Sequence, residues 1–218
     1  MSLWHIGETR AVLDGVEGAV RWRGSRSPGS GIGLIAAPDG KRIAFLSRAH
    51  MPDSRKFSTI VQDALGERPP VTLSSSIVRF DPQGMSFTPD GQSLATLTTG
   101  NRVAVFDASN GNLRRSFPVQ ANSAHFALSP TGRWLAVVSR CGVNIHDFTT
   151  GELLYALPDR EGTAYWLAWQ PGEPRLAIAR DNGDIAIWDL AKIERQLTEL
   201  GLGVAPVPTS IPPAKDKP

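Results

Sequence analysis

Apolar and polar positions alternate along this chain in short bursts, and the bursts recur. Four segments share an apolar stretch, a turn containing proline, and a second stretch built around aliphatic-Ala-aliphatic: Ile35–Phe45, Ser86–Thr96, Ala127–Val137 and Ala168–Ile178. Period-two alternation over such lengths predicts strands, and the intervening Pro and Gly predict turns. The turn prolines stand at positions 38, 89, 130 and 171, so the last two intervals are both 41 residues. Proline presets φ for the turn, and the Asp or Thr before Gly in the first three copies supplies side-chain hydrogen bonding ahead of a positive-φ position. Alternation puts Leu135 and Val137 on one face and Ala136 on the other. An Ala recurs at that place in all four copies, which predicts close packing between neighbouring sheets.

A second landmark follows each of the later strands. Val103–Asp107, Val143–Asp147 and Ile185–Asp189 occupy matching places, and Thr59–Asp63 is a weaker copy. The first two run into Asn110-Gly111 and Thr150-Gly151 and then into Leu113–Phe117 and Leu153–Leu157, which are hairpin signals. The N-terminus fits the second half of the pattern, with Leu3–Glu8 followed by Arg10–Leu13.

In order, a turn, a Leu-Ala strand, an aliphatic-x-aliphatic-Trp-Asp strand, a Thr-Gly turn and an apolar strand resemble the WD40 repeat. The resemblance covers residues 3–13 and 31–190; Trp188-Asp189 matches the name-giving dipeptide, while Phe106-Asp107 and His146-Asp147 are relaxed versions. It implies an all-β fold: a WD40-like β-propeller of about four to five four-stranded blades. Asp189 is placed to cap a helix from about Leu190 to Leu200, with Gly201 as its stop and Ile193, Leu197 and Leu200 on one docking face. This ending resembles the tail that closes WD40 regions in large bacterial, planctomycete-type proteins, some of which carry a protein kinase domain.

The repeats divide the chain into a partial blade at 1–13, an irregular linker at 14–30, blades and helix at 31–202, and a disordered Pro-rich tail at 203–218. Four repeats, with a half repeat before them and a helix in place of the last strand, leave the ring incomplete. An open end exposes unpaired edges and apolar faces, which favours association. Three readings stand: part of a longer propeller, a small closed ring, or a ring completed by another chain or copy.

Composition changes little. The 23 basic and 21 acidic residues are mostly interspersed, so charge alone does not argue for nucleic acid, and no nucleic-acid partner is expected. No run of about 18 apolar residues suggests a membrane span, the N-terminus lacks a secretory pattern, and the single Cys141 rules out an intramolecular disulfide framework. These features together lead us to expect a cytoplasmic location.

Motifs that carry chemistry are sparse. Gly29–Gly33 lacks the Gly-Lys-Ser/Thr and the βαβ setting of a phosphate loop, and reads as an inter-blade loop. Arg21-Trp22-Arg23 with Arg26 reads as a solvated loop, and the prolines at 206, 208, 212 and 213 as plain disorder. His5, His50, His125 and His146 have no metal-ligand spacing, and His146 stands where Phe106 and Trp188 stand, as a structural substitute. No nucleophile elbow, kinase loop or paired-carboxylate motif is found, so no catalytic residue, metal site or cofactor is expected. The leading expectation is a non-catalytic protein-interaction scaffold, the docking part of a bacterial signalling protein. Arg102, Arg140, Tyr165 and Arg180 are its candidate anchors because they lie near predicted strand ends. The alternatives are an enzyme or small-ligand binder using a central cavity, which a deep polar pocket would favour, and a fragment without a role of its own.

Overall fold

The computed structural model describes residues 2–6, 9–13, 20–24, 32–48, 57–64, 68–73, 84–98, 100–122, 125–158 and 162–202. Its strands form antiparallel sheets, each a meander in chain order. Blade 1 comprises β4 (Ile32–Ala36), β5 (Arg42–Arg48), β6 (Phe57–Asp63) and β7 (Val71–Thr72). Blade 2 comprises β8 (Met85–Phe87), β9 (Ser93–Leu97), β10 (Arg102–Asp107) and β11 (Leu113–Pro118). Blade 3 comprises β12 (Phe126–Leu128), β13 (Trp134–Ser139), β14 (Gly142–Asp147) and β15 (Leu153–Pro158). Blade 4 comprises β16 (Ala164–Trp169), β17 (Arg175–Arg180) and β18 (Ile185–Asp189), after which the helix α1 (Leu190–Glu199) takes the place of a fourth strand. These blades form a β-propeller. A further three-stranded sheet precedes them, made of β1 (Ser2–Ile6), β2 (Thr9–Leu13) and β3 (Val20–Gly24). Strand β3 falls within the stretch read as an irregular linker; the tail at 203–218 lies outside the described residues.

Register explains how one repeat becomes one blade. The recurrent Ala pairs with an aliphatic residue on the next strand in every copy: Ala44 with Val61, Ala95 with Val105, Ala136 with Ile145 and Ala177 with Ile187. Directly paired residues share a face, so each blade presents an apolar face toward its successor. The first interface packs Ala44, Leu46 and Val61 with Phe87, Leu94 and Phe106. The second packs Ala95, Leu97, Val103 and Val105 with Phe126, Leu135 and Val137. The third packs Ala136, Val138, Val143 and Ile145 with Leu167, Leu176 and Ile178. The small Ala lets the next sheet approach, and Ala44, Ala95 and Ala136 are fully buried. The inner strands adjoin in sequence, β4 beside β8, β8 beside β12 and β12 beside β16.

Helix α1 starts where its sequence signal placed it. Asp189 is the N-cap, its carboxylate accepting from the Lys192 N–H at 3.0 Å. At the other end Gly201 takes φ +71°, and its N–H donates to the Thr198 carbonyl while Leu202 N–H donates to that of Leu197. This is a Schellman stop. The expected docking face needs correction. Leu190 is fully buried and Ile193 is packed against the third interface, but Leu200 is 72% exposed. The helix docks through its first two turns, and a bidentate pair from Arg133 to Glu194, at 2.8 and 3.1 Å, ties it to blade 3.

Candidate functional site

The repeats converge on one concavity. Each blade contributes the end of its inner strand and its turn proline: Ile35 and Pro38, Phe87 and Pro89, Leu128 and Pro130, Trp169 and Pro171. Together they line an open axial cleft of about 610 Å³. Among the described residues its lining is apolar apart from two serines, Ser86 and Ser129, and backbone groups, and contains no ionisable side chain. Local packing fixes the shape. The indole of Trp169 stacks on that of Trp134 with centroids 6.0 Å apart, and its Nε1–H donates to the Ala127 carbonyl at 3.0 Å. Both contacts cross from blade 4 to blade 3, so the cleft wall is held by an interface rather than by one strand.

Charge gathers instead at the rim between blades 1 and 2, around Asp39, Lys41, Arg42, Asp90, Asp107 and Arg114. The partners there are local. Arg42 Nη1–H donates to the Gly91 carbonyl at 2.8 Å, and Arg114 pairs with Asp107 at 2.6 Å. The Ser109 hydroxyl and the Arg114 guanidinium hold the Asp107 carboxyl well below the usual carboxylate range. Asp107 also accepts from the Ser109 N–H at 2.7 Å. Asp147 does the same one blade on, accepting from the Thr149 and Thr150 N–H groups at 2.7 and 2.8 Å. These carboxylates organise the turn after the third strand of a blade. Among the described residues no group of three His, Cys, Asp or Glu is placed to hold a metal ion.

The four predicted anchors lie on the opposite end of the blades from the proline turns, in three different blades. Arg102 opens β10 and spends its guanidinium on the Ser116 carbonyl and hydroxyl at 3.0 to 3.2 Å. Arg140 is exposed in the turn between β13 and β14, next to the exposed Cys141. Tyr165 is exposed on β16, its ring edge-on to His125 with centroids 6.4 Å apart. Arg180 ends β17 and is half-buried. His146 is buried in blade 3, and its Nδ1 is 3.1 Å from the Gly151 carbonyl, a packing position like that of Phe106.

With this geometry in view, the comparisons with known proteins bear on the repeat itself. The chain is 30% identical over 111 residues to an uncharacterized WD repeat-containing protein of Synechocystis sp.. The chain has a β-propeller fold with WD-repeat similarity. The match takes in 49% of the chain and 31% of that relative, so the chain spans about a third of the relative's length. No family model matches.

Sequence reasoning missed two sets of residues. The cleft residues carried a signal in the equivalent inner-strand ends, but their convergence depends on how blades turn about the axis. The other set is the particular residues on the successor-facing side of blade 4, where the sequence led to an open apolar face without saying which residues form it. Trp166, Ala179 and Ile185 are register partners there, as are Ala177 and Ile187. Ile185 and Ile187 are 69% and 70% exposed, although their counterparts in blades 2 and 3 are buried. The recurring Ala marked Ala177 as an interface position; the structure shows which residues around it are uncovered.

Proposed function

We propose that this chain is a non-catalytic protein-interaction scaffold that takes an extended, apolar segment of a protein partner in its axial cleft. The observation that carries this reading is the lining, to which all four blades contribute and which, among the described residues, holds no ionisable side chain. General acid–base or nucleophilic chemistry needs such groups within reach of substrate, whereas apolar walls with a few backbone donors and acceptors suit recognition. The relative, a WD repeat protein that extends well beyond the aligned part, supports a place as one portion of a longer protein; a docking role in bacterial signalling and a cytoplasmic location are parts of the same proposal.

The cleft and the predicted anchors sit at opposite ends of the blades, so they are tested separately. Peptides selected on the immobilised chain are titrated against Leu128→Glu and against a variant with Arg102, Arg140, Tyr165 and Arg180 all changed to Ala. The proposal expects Leu128→Glu to weaken binding by at least about tenfold and the quadruple variant to stay within about twofold. The reverse pattern would move the docking surface to the anchor end. Binding unchanged in both would sink both assignments.

A further inference from the structure

The side of blade 4 that faces away from blade 3 is uncovered. Its positions are those that form the interface in every earlier blade. Ala44, Ala95, Ala136 and Ala177 correspond, as do Val61, Val105, Ile145 and Ile187. In blades 1 to 3 a following sheet covers them. In blade 4 the same register presents Ile185 and Ile187 to solvent at 69% and 70% exposure, with Trp166 at 45%.

We propose that this surface pairs with the same surface of a second copy of the chain, forming a two-fold dimer. The face has alternating relief. Ala177 and Ala179 make a shallow trough along β17, bounded by Ile185 and Ile187 on β18 and by Trp166 on β16. Two such faces related by a two-fold axis are self-complementary, because the isoleucine ridge of each copy enters the alanine trough of the other. Charges of both signs sit at the end of the face, where Arg175 and Asp189 pair at 3.5 Å, so like charges do not oppose the approach. Head-to-tail stacking onto blade 1 is not open to a second copy. The opposite face of that blade carries Ile43 and Phe45, at 0% and 2% exposure. A like-to-like contact about a two-fold axis closes at two copies. Three strands of about five residues give a face of roughly 14 by 17 Å, smaller than most stable interfaces, which makes the dimer concentration-dependent.

The test is absolute mass by light scattering on the full chain, from about 1 to about 500 µM, a range that brackets a weak dimer. The proposal expects the mass to rise from 23.5 kDa toward twice that value and stop there. Ile185→Asp with Ile187→Asp should hold the chain at one copy across the range. So should filling the trough with Ala179→Trp, which adds no charge. Far-UV circular dichroism checks that both variants keep the wild-type sheet signal. A wild-type chain that stays monomeric throughout would overturn the proposal without any variant. So would a dimer that survives both variants, or a mass that climbs past two copies. None of these results touches the peptide titrations, so the scaffold reading and the dimer can fail independently.

Discussion

His146 shows how one substitution within a repeat carries a pH dependence. It occupies the site of Phe106 and Trp188, as their pairing with Leu135, Leu94 and Leu176 shows. Burial pushes its pKa below the ordinary value of 6.5, and the bond to the Gly151 carbonyl only partly opposes the shift. The folded chain thus holds a neutral imidazole that the unfolded chain protonates more readily. Stability present above about pH 6.5 is lost as the pH falls below it. Replacing His146 with Phe should flatten the decline in Tm between about pH 7.5 and 5.5, measured by thermal melts. An equal decline in both chains would show that other groups control it. The neighbouring Gly151 is fixed by two demands at once: φ is +78°, and a Cβ would fall 2.5 to 2.6 Å from the side chain of Phe117 in blade 2. Any other residue there would strain the turn and push the blades apart.

At the scale of elements, one Asp does one job with two outcomes. Asp107 and Asp147 accept N–H groups from the turn that leads into a fourth strand. Asp189 accepts from Lys192, and the chain continues as α1. The difference lies downstream. Gly111 and Gly151 supply positive φ and reverse the chain into a hairpin, whereas Leu190–Glu199 contains no Gly or Pro and holds strong helix formers. Removing the cap with Asp189→Ala should fray the first turn. The expected result is a smaller helical signal in circular dichroism and a Tm lower by about 2–4 °C. An unchanged helix would mean that the Leu190 and Ile193 contacts and the Arg133–Glu194 pair fix it alone.

For the whole molecule, stability should follow how many faces of a blade are covered. Blades 2 and 3 are sandwiched, and β9, β13 and β14 are buried along their whole length. Blade 4 is covered on one side. Hydrogen exchange in dilute solution should therefore give the slowest amides in β9 and β13 and faster ones in β18, whose outer edge has no strand beside it. Equal protection of β18 would contradict an uncovered face. The sequence by itself determined the repeat, the blade, the turn chemistry, the cap at Asp189 and the packing role of His146. Each rests on spacing and local residue chemistry within about 40 residues, the scale of one propeller repeat. It also marked Ala177 as an interface position, because an Ala recurs at that place in all four copies. Only the tertiary structure decided which of those positions are covered, that Leu200 faces solvent, and that the strand ends enclose an apolar cleft with the four anchors on the far side. Those properties depend on what lies across a gap from each side chain, and a repeat pattern records which face a residue is on without recording its neighbour.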